Sequence, residues 1–172
     1  VKKGLGTIIA FNLNMKAARL VSKWMPVIAW MLLIFAGSSD VLSAEHTSRF
    51  IVPLLRWLDP QISFPTIVAI HIAIRKLGHF TEYAILALLL WRALHGTFST
   101  VRGMLLTGLT FVLAAAFAAS DEFHQSFVPA RTASARDVMI DCLGALVAVA
   151  LCALWAKSRK VSPSLAEAKP PR

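Results

Sequence analysis

Along this chain the apolar positions gather into four blocks, Trp24 to Gly37, Leu77 to Leu94, Gly103 to Ser120 and Val138 to Ala156, with polar residues concentrated between them. The last three blocks each run about 18 to 19 residues, close to the ~20 a helix needs to cross a bilayer core. The first is shorter, but it extends backwards through "AARLVSK", where Arg19 and Lys23 can carry their charges to the headgroups on long aliphatic stems. The pattern predicts an all-α fold, a polytopic membrane bundle of four transmembrane helices at about 24–37, 77–94, 103–120 and 138–156.

The connection 38–76 is the longest. Within it "SRFIVPLLRWLDP" interleaves Phe50, Ile51, Leu54, Leu55, Trp57 and Leu58 with Arg49, Arg56 and Asp59, a composition suited to a helix lying on the membrane surface. "FPTIVAIHIAI" can run directly into the second helix, with Pro65 near its start. Residues 1–23 form a basic N-terminal segment, and the Pro- and Lys-rich tail 157–172 is expected to be disordered. Lys16, Arg19 and Lys23 ahead of an apolar run ending in "AGSS" also fit a signal peptide, although no small-x-small cleavage site stands out. The chain opens on Val1, which suggests a non-standard or trimmed start, and Met15 is an alternative start.

Composition sharpens this picture. The chain is 57% hydrophobic and only 16% charged, where a soluble domain carries about a quarter charged residues. A net charge of +9 would suit nucleic acid, but the basic residues are placed by topology. Twelve of the 18 fall on the side of the N-terminus, the second loop and the C-terminus, and six on the other side. The positive-inside rule then puts both termini in the cytoplasm. Trp24, Trp91 and Trp155 sit at the expected inner ends, beside Lys23, Arg92 and near Lys157, as an aromatic belt. The positive charge therefore indicates orientation and contact with membrane lipids, not nucleic acid. Cys142 and Cys152 fall about 15 Å apart along one helix, too far to bridge.

The acids follow the same division. Eight of nine carboxylates and four of five histidines lie in the expected outer half. On the second helix "RKLGHFTEY" places Arg75, His79 and Glu82 on one face. On the third, Asp121 and Gln125 are one turn apart, with Glu122 and His124 beside them; on the fourth, Asp137 and Asp141 repeat that spacing and continue through Gly144 and Ala148. Ionisable groups at membrane depth are costly unless they face the bundle or water, so three such faces at one depth imply a site. Blander readings stand beside it. Asp137 can complete a capping box with Ser134, either histidine can be a hydrogen-bonded core residue, Asp121 or Glu122 can pair with Arg131 or Arg136 as an interhelical clasp, and Tyr83 can be an interface anchor.

The blocks "RKLGHFTEYAILALLL" and "SDEFHQSFVPARTASARDVMIDCLGALV" resemble the VanZ-like family of bacterial membrane proteins. The pattern of that family is matched by Lys76, His79, Phe80, Tyr83, Asp121, Glu122, Gln125, Arg131, Asp137, Asp141 and Gly144, over roughly residues 24–156. Ala130 stands where the pattern usually has glycine. The resemblance implies a cell-envelope protein whose founding relatives are linked with resistance to teicoplanin, and it supplies no biochemical activity.

Three functions remain open at this point. The first is an enzyme catalysing hydrolysis or group transfer on a lipid-linked envelope intermediate. Its catalytic candidates are His79, Glu82, Asp121, Glu122, Gln125, Asp137 and Asp141, with Lys76, Tyr83, His124, Arg131 and Arg136 binding substrate. The second is a non-catalytic binder of an envelope lipid, a glycopeptide or a partner helix. The third is a polar clasp with a purely structural role. His-x-x-Glu and "DEFH" match no established metal-ligand spacing, so no metal and no cofactor is expected. Oligomeric state is not legible.

Overall fold

The computed structural model describes residues 2–38, 44–128 and 134–166, with side chains described within 14–38, 47–128 and 134–159. Arg131 and the side chains of Asp40, Glu45 and His46 lie outside these residues. Five helices follow one another: α1 Lys2–Ser38, α2 Ala44–Leu58, α3 Phe64–Thr97, α4 Gly103–Gln125 and α5 Ala135–Ala166. No strand occurs among the described residues.

Three helices are long and apolar enough to cross a membrane, at Asn14–Ser38, Gly103–Gln125 and Ala135–Arg159. α3, expected as a fourth span over 77–94, does not join them. Its 34 residues reach about 50 Å, so length is not the obstacle. The obstacle is polarity, because His79 and Glu82 interrupt one end of its apolar stretch and Arg92 the other.

α3 is the hub of the bundle, packing against each of the other four helices and most extensively against α5. Its start follows from local chemistry. Ser63 accepts a hydrogen bond from the Thr66 amide at 3.3 Å, and Pro65 occupies the first turn, where its missing N–H costs nothing. α1 contains Pro26, which removes the amide that would bond the carbonyl of Ser22. Arg92 of α3 approaches that carbonyl at 3.5 Å and the Lys23 carbonyl at 3.4 Å, so the proline defect becomes a contact between helices.

The bundle is small inside and large outside. Ala87, Ala93, Ala114, Ala118 and Ala145 are fully buried, while Leu32, Leu105, Leu151 and Leu154 face outward. That is the arrangement expected where lipid solvates the large side chains and close backbone approach supplies the packing. Two backbones come close at Gly144 of α5, where a Cβ would lie 2.9 Å from the carbonyl carbon of Phe80 and overlap its oxygen. α5 continues as helix to Ala166, past the expected end at 156, and residues 167–172 of the expected disordered tail lie outside the described residues.

Val27 and Ile34 of α1 are buried in the common core, so the segment that also fits a signal peptide packs as a member of the bundle. Cys142 and Cys152 are half-buried free thiols.

Candidate functional site

At the end of the bundle where α1 and α4 finish and α5 begins, seven buried polar side chains from four helices come together. Ser38 of α1, His79 of α3, Asp121, Glu122 and Gln125 of α4, and Asp137 and Asp141 of α5 are each less than a tenth exposed. Helical spacing delivers most of them: Asp121 and Gln125 are one turn apart on α4, with Glu122 beside them, and Asp137 and Asp141 are one turn apart on α5. The group divides into two parts with different character.

The first part is closed. Ser38 Oγ donates to Asp121 Oδ2 at 2.7 Å, and Gln125 Nε2 donates to the same oxygen at 3.1 Å and approaches Ser38 Oγ at 3.2 Å. This triangle ties the end of α1 to the end of α4. Glu122 Oε1 accepts the backbone amide of Ser134, just ahead of α5. The expected capping box between Ser134 and Asp137 is therefore not made in its reciprocal form. Ser134 Oγ accepts from the Arg136 amide at 3.2 Å, while the acid that takes the Ser134 amide comes from α4.

The second part opens onto a cavity of about 150 Å³ between α1, α2 and α3. His79 Nδ1 meets Asp141 Oδ1 at 3.1 Å. With Asp141 ionised, Nδ1 carries the proton and donates, and Nε2 is the nitrogen left for a ligand. Arg75 Nη2 reaches Asp137 Oδ2 at 3.4 Å, while its Nε is buried and has no hydrogen-bond partner among the described residues. Arg75, His79, Glu82 and Gln125 line the cavity together with His71, Thr47, Ser38 and Gly78. His71 Nε2 and Thr47 Oγ1 are 2.8 Å apart and link α3 to α2.

Between the two parts lies Tyr83, fully buried. Its hydroxyl interacts with the Asp121 carboxylate without a hydrogen bond of ordinary geometry. Asp121 Oδ1, Glu122 Oε2 and Gln125 Oε1 are likewise buried with no partner among the described residues. Buried acceptors of this kind normally carry a proton, a water or a ligand donor.

The remaining candidates lie elsewhere. Lys76 and Arg136 are exposed, and His124 is half-buried, stacked on Phe35 of α1 with ring centroids 4.2 Å apart. Among the described residues no three His, Cys, Asp or Glu side chains converge as a metal site would require. Ser38, Thr47 and His71 escaped the sequence reading. His71 and Arg75 precede His79 at four-residue intervals on the same face, which is a visible signal; a serine closing "FAGS" is not.

A family model, VanZ/LLP1, matches residues 23–156. The chain belongs to the VanZ/LLP1 family. The match takes in the whole polar group, from Ser38 to Asp141, and runs from the last basic residue before the apolar part of α1 to the apolar end of α5. No curated protein and no solved structure matches this VanZ/LLP1 chain.

Proposed function

We propose that this VanZ-family protein acts on a membrane-borne ligand of the cell envelope, taking its polar group into the cavity between α1, α2 and α3 and moving a proton through His79. The observation that carries this reading is the buried His79–Asp141 pair, 3.1 Å apart, with His79 in the wall of a cavity. A histidine held at Nδ1 by a carboxylate is oriented with Nε2 presented. It takes a proton from an attacking hydroxyl or water and returns it to the leaving group. Hydrolysis or group transfer on a lipid-linked envelope intermediate is the reaction class this supports. Arg75, with a buried Nε to spare, and Gln125 orient the polar group.

The topology that accompanies this reading has α3 as a fourth span, its polar residues turned into the bundle, and both termini in the cytoplasm. The excess of basic residues on that side and the grouping of Trp24 and Trp91 at the end of the bundle away from the acids favour it. The cavity then faces outward in the bacterial inner membrane, where a glycopeptide-sensitive intermediate is accessible.

A second reading holds for half of the group. The Ser38–Asp121–Gln125 triangle is saturated on Oδ2 and joins two helices, which favours a structural clasp there.

The test is a set of variants in the native host, with membrane abundance read beside susceptibility to teicoplanin-class glycopeptides. The expected result is His79→Gln and Asp141→Asn present at normal abundance with the phenotype of a deletion. The reading falls if those variants behave as wild type while the deletion does not.

A further inference from the structure

At the opposite end of the bundle, Lys16, Arg19, Leu20 and Lys23 of α1, with Gly96 and Thr97 at the end of α3, line an open pocket of about 190 Å³. The three cations fall on one face of α1, at i, i+3 and i+7. Lys23 is committed: its Nζ donates to the carbonyl of Gly96, and a Cβ at Gly96 would lie 3.0 Å from its Cε, so the glycine makes room for the lysine stem. Lys16 and Arg19 are exposed and make no side-chain hydrogen bond or ion pair among the described residues.

Neither chain segment that lines the pocket supplies a carboxylate to balance them. The sequence contains no Asp or Glu before Asp40 and none between Glu82 and Asp121, the two stretches that line the pocket. Arg92, whose guanidinium is at the Ser22 and Lys23 carbonyls, and Arg102 at the start of α4 add to the positive field. Beside the pocket, Trp24 Nε1 donates to Thr97 Oγ1 at 3.1 Å, which fixes α1 against α3 and keeps the pocket's two walls together.

We propose that this pocket binds a phosphate ester, with Lys16 and Arg19 as its direct ligands and the headgroup of an anionic phospholipid as its membrane source. The volume suits a headgroup and is small for a drug-sized ligand, which takes roughly 300 Å³ or more. The position is at the basic end of an apolar helix, where headgroup phosphates lie. The proposal is independent of the chemistry proposed for the His79 cavity.

The test uses the full chain in nanodiscs of phosphatidylcholine with and without phosphatidylglycerol. Lipid retention is read by native mass spectrometry, and thermal unfolding is followed in parallel. The wild type is expected to retain phosphatidylglycerol preferentially and to unfold at higher temperature in its presence. Lys16→Gln with Arg19→Gln is expected to lose roughly thirtyfold in that preference. Lys157→Gln with Arg159→Gln, basic positions on α5 outside the pocket, is expected to keep it. Adding glycerol phosphate to phosphatidylcholine nanodiscs separates the sources: protection assigns the pocket to a soluble ester, and its absence assigns it to lipid. Undiminished preference in the Lys16/Arg19 variant, or an equal loss in the α5 variant, overturns the proposal.

Discussion

α3 has two sides that solve opposite problems with the same kind of residue. Against α5 it forms a close-packed seam in which Gly144 meets the Phe80 backbone and Ala145 and Ala148 are buried. Against α1 and α2 it borders a cavity, and Gly78 on that border has nothing within 4 Å of where its Cβ would be. One glycine lets two helices touch; the other leaves room. The difference teaches that a glycine in a membrane helix is read by what stands opposite, and that His79, which lines the cavity and pairs with Asp141 on the seam stripe, joins the two sides.

The largest expected effect breaks the seam. Gly144→Val places two methyl groups and a Cβ where the Phe80 carbonyl lies, and neither backbone can move without displacing its helix. Overpacking of this kind costs typically about 1–3 kcal/mol and more where backbone is struck, so the variant is expected to be depleted from the membrane. Normal abundance and an unchanged unfolding temperature in detergent would show that the seam is looser than the geometry states.

Next in size is the chemistry of the open side. His79→Gln keeps an amide donor for Asp141 and so leaves no bare buried carboxylate, while it removes the proton-accepting nitrogen. Loss of a general base costs typically about 10²–10⁴ in rate, with stability changed far less. In the host this is a deletion phenotype at wild-type abundance. Loss of abundance parallel to loss of phenotype would move His79 to the structural side of the comparison.

A smaller effect is expected in the clasp. Asp121→Ala deprives Ser38 Oγ and Gln125 Nε2 of their shared acceptor. Hydrogen bonds between membrane helices measure about 0.6 kcal/mol on average and up to about 1.7, so two lost bonds predict a fall of roughly 1–3 kcal/mol. The check is unfolding in detergent beside Ser38→Ala, which removes one bond and is expected to cost about half as much. Equal costs would mean that Ser38 carries the whole link between α1 and α4.

The seam was legible in the sequence and the closed part of the site was not, for a physical reason. The stripe Asp137, Asp141, Gly144, Ala148 follows helical spacing within one segment, so its common face is fixed by local geometry. The closed part of the site depends on partners far apart, Ser38 with Asp121 across 83 positions and with Gln125 across 87, and nothing in either segment specifies the other. The cap at the start of α5 shows the same limit. Ser134 and Asp137 have the spacing of a self-contained box, yet the tertiary structure brings Glu122 to the Ser134 amide and turns Asp137 toward Arg75. The apolar blocks made a membrane bundle legible, while the polarity that made α3 notable in sequence is also what separates it from the three apolar spans.

The smallest expected effect is also the sharpest test of the comparison, because it has the opposite sign from the first. Gly78→Ala adds a methyl group that meets nothing within 4 Å, in the interior of a long helix where glycine is less favourable than alanine by about 0.8–1.0 kcal/mol. Unfolding temperature in detergent is therefore expected to rise slightly. The same methyl sits at the border of the cavity that holds His79 and Arg75, so a bulky ligand is expected to bind less well to the more stable protein. Gly78→Leu extends the series by placing a larger side chain at the border of that space. A variant that gains stability while losing phenotype would show that the space beside Gly78 is kept for a ligand; one that loses both would show that α3 packs there against something the open geometry does not contain.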